Sequence, residues 1–122
     1  MQEAAFGISG LETAFGLLNG LVGRDDIDLP TAIERLTAGP ARVLRRASHP
    51  GLGTLKPGAS GDVTVLDPEA EWEVNSSTFA SKGHNTPLDG TTLKGQVVKT
   101  IVGGRLVFDL QETAPKGSAD AK

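Results

Sequence analysis

The chain has 122 residues, a formal charge of -3, 38% hydrophobic and 4% aromatic residues, and no cysteine. This length suits one modest domain burying roughly two thirds of its unfolded surface, and the acidic balance offers no electrostatic footprint for nucleic acid or an anionic membrane. The lack of cysteine excludes disulfides and thiolate chemistry and suits the cytoplasm, and no apolar run approaches the ~18 residues of a membrane span.

The stretch from Ala4 to Gly20, AAFGISGLETAFGLLNG, reads as a glycine-rich turn feeding a capped helix. Ser9-Gly10-Leu11-Glu12 fits a capping box, in which the Ser9 hydroxyl accepts from the Glu12 amide and the Glu12 carboxylate reaches back to the Ser9 amide. Leu11, Ala14, Phe15, Leu18, Leu21 and Val22 then recur at helical spacing as one apolar stripe, so the helix is expected to end near Gly23. Gly16 and Gly20 each cost about 1 kcal/mol relative to alanine in a helix interior, which is tolerable where another element packs closely. After a polar link, Asp28 is the expected N-cap of a second helix, with Pro30 in its first turn. Ile33 and Leu36 face a core, and this helix runs to Gly39. Pro40 starts a third, short helix with Val43 and Leu44 apolar. Its Arg42, Arg45 and Arg46 read as a solvated last turn that favours the helix dipole rather than as an anion site.

After His49-Pro50 the texture changes to GLGTLKPGASGDVTVLDP, in which Val63 to Leu66 reads as a short strand between turns. Glu71 to Val74 reads as a second strand, with Trp72 and Val74 on one face. Phe79 to Leu93 is loop-like. Val97 to Val102, a Gly103-Gly104 turn and Arg105 to Phe108 form a hairpin. The tail from Gln111 to Lys122 is polar and expected to be disordered. Helices followed by a small sheet with unpaired edges do not make an easy self-contained fold; they read as a piece of something larger.

The residues offer little independent chemistry. A catalytic zinc generally takes three protein ligands, whereas the two histidines, His49 and His84, read as loop residues. Asp25-Asp26, Glu69, Glu71 and Glu73 read as solvated surface, and Asp62 as bonding within its turn or at the strand start. Ser76-Ser77 and Ser81 lack a recognisable base, and no phosphate-cradling glycine motif is present.

The ordered segments FGISGLETA, GPARVL, GLGTLKPGASGDVTVLDP, FASKGHNTPLDG and LKGQVVKTIVGGRLVFD resemble the C-terminal part of dihydroorotase, a cyclic amidohydrolase, from about Phe6 to Asp109. The combination of GLETA with SK..NTP..G favours dihydroorotase over allantoinase or hydantoinase relatives. Two departures weaken the match slightly: Ala5 stands where the family usually has proline, and Gly39 where it usually has asparagine.

The resemblance implies an α/β fragment: the last helices of a (β/α)8 barrel followed by C-terminal strands of a small composite β-sandwich. Residues 1–48 would close the barrel, 49–110 would belong to the sandwich, and 111–122 would form the tail. The implied family reaction is the reversible, zinc-dependent cyclisation of N-carbamoyl-L-aspartate to dihydroorotate. The family's metal ligands and its aspartate acid/base match no segment of this sequence, so the chain alone is expected to bind no zinc and to be inactive. Phe6 and Gly7 match the family's substrate-contacting loop; the plainer alternative is that Phe6 staples the helix start and Gly7 makes the turn. Implied partners are the small-molecule substrate and a complementary N-terminal half. A second reading is a non-catalytic homologue that scaffolds aspartate transcarbamoylase, and an unrelated α+β binding domain is a third.

Overall fold

In a computed structural model, residues 6–24, 27–44 and 51–113 are described. They form helices α1 (Ala14–Asn19), α2 (Leu29–Leu36) and α3 (Ala38–Val43), strands β1 (Val63–Glu73), β2 (Thr92–Val102) and β3 (Arg105–Asp109), and a terminal turn of helix, α4 (Leu110–Thr113). A 3-10 turn, Ser76–Thr78, lies between β1 and β2. The strands make one sheet in the order β1-β2-β3. Described residues 6–37 and 67–96 belong to one compact unit, and 38–66 and 97–113 to another. Each unit thus draws on both helical and strand segments.

In the first unit, α1 is shorter than its apolar stripe. It begins at Ala14, Thr13 takes the N-cap position without a side-chain cap bond, and the helix ends at Asn19. The expected capping box does not form. The Ser9 amide donates instead to the Asn85 carbonyl at 2.7 Å, and the Glu12 carboxylate accepts from the Ser81 amide at 2.9 Å. Tertiary partners outcompete the local ones. Leu11 and Leu21 are exposed, whereas Phe15 is buried with Ala32, Val74 and Phe79.

Gly16 behaves as its position in α1 requires. A Cβ there would lie 3.1 Å from the Gly95 carbonyl oxygen and from Leu93, so the missing side chain lets strand β2 approach the helix. The Asn19 side-chain amide donates to the carbonyls of Pro68 and Lys94, each at 2.9 Å. Trp72 Nε1 donates to the Gly95 carbonyl at 2.9 Å. These bonds tie the end of α1 to β1 and β2.

Helix α2 starts as the sequence dictates. The Asp28 carboxylate accepts from the Thr31 amide at 2.8 Å, and Pro30 occupies the first turn. Its end differs: α2 stops at Leu36, and Gly39 and Pro40 lie inside α3. Ala32 is the fully buried residue of α2, while Leu36 is exposed. In the second unit Val43 and Leu44, the apolar residues at the end of α3, are also exposed. Arg42 is exposed; Arg45, Arg46 and His49 lie outside the described residues, as do Asp25 and Asp26.

The two strands expected at Val63 to Leu66 and Glu71 to Val74 are one continuous β1. Asp67-Pro68 did not break it, because the Asp67 carboxylate accepts from the amides of Glu69 and Ala70 and satisfies the backbone locally. Strand β2 begins at Thr92, earlier than expected. The β2–β3 hairpin forms as read, with Val102 opposite Arg105 and a register shift between Thr100 and Ile101. Gly103 and Gly104 have φ of 56° and 76°, the positive values a tight two-residue turn demands. Asp62 caps that turn from outside, accepting from the Gly103 amide at 2.7 Å, while the Gly61 carbonyl accepts from Gly104. Gln111 to Thr113 of the expected tail continue as α4, and residues 114–122 are outside the described set.

Candidate functional site

The segment that carries Phe6 and Gly7 is held by the loop that follows the 3-10 turn. Phe6 is fully exposed, and Gly7 has a φ of 77°, a conformation that glycine adopts without strain. The Asn85 side-chain amide donates to the Gly7 carbonyl, while the Asn85 backbone carbonyl accepts from Ser9. One residue therefore fixes both ends of the Gly7–Ser9 span. At Gly83 a Cβ would fall 2.7 Å from Ser9 Oγ, which shows how closely the two segments approach. Further along, Ser81 bonds Glu12.

Glu12 is the ionisable anchor of this contact. Burial pushes its carboxyl up, but hydrogen bonding from Ser81, its own amide and the nearby His84 charge outweigh that and hold it below the ordinary glutamate value. Its Oε2 is buried without a hydrogen-bond partner among the described residues. His84 is exposed, and its Nδ1 donates to the Ser76 carbonyl at 2.6 Å.

These residues do not fit a zinc site. Among the described residues no group of three His, Cys, Asp or Glu side chains is placed to hold a metal ion, and His84 is committed to its own loop backbone. Asp62 serves the hairpin turn. The backbone bond from Gly103 and, after it, the Ser60 hydroxyl lower its carboxyl below the ordinary value. A hollow of about 280 Å³ in the second unit is lined by Ala38, Ala41, Arg42, Gly53 and Lys56 among others; it contains neither Phe6 nor Gly7.

The sequence reading singled out Phe6 and Gly7 and missed Ser81 and Asn85 as their supports. A signal was present. GLETA and SK..NTP..G were the more specific pair of segments, and the structure brings these two together. No helix among the described residues is long and apolar enough to cross a membrane.

Comparison with known proteins points the same way. The chain is 45% identical over 107 residues to the dihydroorotase of Syntrophus aciditrophicus, covering 88% of this chain and 24% of that protein. It is 48% identical over 108 residues to the dihydroorotase of Anaeromyxobacter dehalogenans strain 2CP-C, with the same coverage. The chain thus spans about a quarter of the length of these relatives. Among solved structures, the L-hydantoinase (dihydropyrimidinase) from Arthrobacter aurescens aligns with a TM-score of 0.75 at 30% identity, over 88% of this chain and 24% of that one. A D-hydantoinase structure shares the fold with a TM-score of 0.73 at 23% identity, over 88% of this chain and 23% of that one. The profile of the amidohydrolase family matches residues 7–108, from Gly7 in the clamped loop to Phe108 at the end of the hairpin. With both contacting segments and the sheet inside that match, the chain belongs to the amidohydrolase family.

Proposed function

We propose that this chain is the C-terminal portion of a cytoplasmic dihydroorotase, and that Phe6 and Gly7 form part of its substrate-contacting loop. The observation that carries the reading is the identity of 45% and 48% to two dihydroorotases over 88% of this chain. The geometry supports it chemically. Phe6 offers an exposed apolar ring, and Gly7, with no side chain and a φ of 77°, lets a ligand approach the backbone closely. In the whole enzyme this loop would bind and orient N-carbamoyl-L-aspartate or dihydroorotate. The remainder of a dihydroorotase would supply the metal centre and the acid/base.

The reading makes a two-part expectation. Purified chain supplied with zinc does not cyclise N-carbamoyl-L-aspartate. Co-expressed with the part of the Syntrophus aciditrophicus dihydroorotase that it does not match, it restores cyclisation. Turnover by the chain alone overturns the first part. Failure to restore activity, where that enzyme's own two pieces do so, overturns the second.

A further inference from the structure

Four close approaches join residues 7–12 to residues 81–85, across about seventy positions of sequence: Asn85 Nδ2 to the Gly7 carbonyl, the Ser9 amide to the Asn85 carbonyl, the Ser81 amide to Glu12 Oε1, and Gly83 against Ser9 Oγ. They are not spread evenly. Asn85 alone contributes a side-chain donor on one side of Ile8 and a backbone acceptor on the other, so it sets the pitch of the Phe6–Ser9 span. Gly7 has no side chain with which to hold itself, and its carbonyl accepts from Asn85. Phe6 itself is fully exposed.

We infer that Asn85 is a positioning residue for substrate binding: its side-chain amide orients the Phe6–Gly7 loop through the Gly7 carbonyl, without touching substrate. The inference rests on the reading above that Phe6 and Gly7 contact substrate. Glu12 and Ser81 have a different part. Their bond anchors the loop's far end to the start of α1, which leaves Asn85 to govern the end that meets the ligand. Removing the Asn85 amide should therefore loosen Phe6 and Gly7 while the Ser9, Ser81 and Glu12 bonds persist.

The test uses the chain assembled with the unmatched part of the Syntrophus aciditrophicus dihydroorotase. Asn85→Ala is expected to raise KM for dihydroorotate roughly tenfold while kcat changes little, the pattern of lost binding rather than lost chemistry. Asn85→Asp keeps the volume but turns a carboxylate toward the Gly7 carbonyl, so its KM should be higher still and should fall as the pH is lowered and the group regains a proton to donate. Because Asn85 acts through the loop, Asn85→Ala should cost much less in a Phe6→Ala background than in the parent. A KM unchanged in both Asn85 variants, with only the thermal midpoint lowered, overturns the proposal and leaves Asn85 a structural residue. Should Asn85→Ala not fold, the pH profile of the isosteric Asn85→Asp decides alone. If Phe6→Ala and Gly7→Ala also leave KM unmoved, the fault lies in the underlying reading of the loop; if they raise it and the Asn85 variants do not, only the present inference fails.

Discussion

Asp62 shows how a single carboxylate, solvated and away from any chemistry, holds a turn in place. Its Oδ1 accepts the Gly103 amide at 2.7 Å, and this bond, followed by that of Ser60, lowers its pKa in the folded chain. A folded pKa below the unfolded one means that ionised Asp62 adds stability above the ordinary carboxylate range, and that this addition is lost as pH falls through the lowered value. Urea midpoints of the parent and of Asp62→Ala should therefore differ near neutral pH and converge below about pH 4. A gap that persists into acid would show that the carboxylate's charge is not what holds the Gly103-Gly104 turn. Asp28, where the Thr31 bonds lower the carboxyl, and Asp109, where Lys99 does so, shift in the same direction. Acid thus weakens a helix start and a cross-strand pair together with the turn.

At the scale of elements, the junction of α1 with β1 and β2 depends on two residues with little intrinsic preference for their places. Asn19 satisfies the Pro68 and Lys94 carbonyls from the end of α1. Gly95 makes room for it: a Cβ there would lie 2.8 Å from Asn19 Nδ2, and its φ is 103°. Asn19→Ala strips both carbonyls of a donor and should cost roughly 1–2 kcal/mol. Gly95→Ala adds backbone strain to the clash and should cost about 1–3 kcal/mol. Denaturant unfolding checks both, and because the two sites touch, the double variant should lose less than the sum. Additive losses would mean that Asn19 does not occupy the space Gly95 leaves.

For the molecule as a whole, the described core is small. Its buried hydrophobic residues are Phe15, Ala32, Val74 and Phe79, while Phe6, Ile8, Leu11, Val43, Leu55 and Val107 are among the large apolar residues left more than half exposed. A surface of that kind marks a site of association or a liability to aggregate. The purified chain is expected to bind a hydrophobic dye strongly and to self-associate with rising concentration. Both signals should fall when it is assembled with the rest of a dihydroorotase. A monomeric chain with no dye binding would show that these residues need no cover.

Much of this was legible locally. The Asp28 cap, the Gly103-Gly104 hairpin and the strand residues at 63–66 and 71–73 follow from spacing and turn chemistry, because a helix cap or a two-residue turn is decided by residues within a few positions. The family resemblance was legible for a related reason, since its motifs are short and ordered. Where the sequence misled, long-range partners had won. Ser9 and Glu12 have the residues of a capping box, but Asn85 and Ser81 offer the same amide and carboxylate better-placed bonds, so α1 starts later than its box. The apolar positions on α1 and α2 were read by spacing alone, yet burial went to Phe15 and Ala32 and left Leu11 and Leu36 in solvent. The proposal of Phe6 and Gly7 came from the family resemblance; that Asn85 bonds Gly7 could not be read there, because a hydrogen bond spanning 78 positions leaves no trace in local periodicity and exists only once the fold has brought the two loops together.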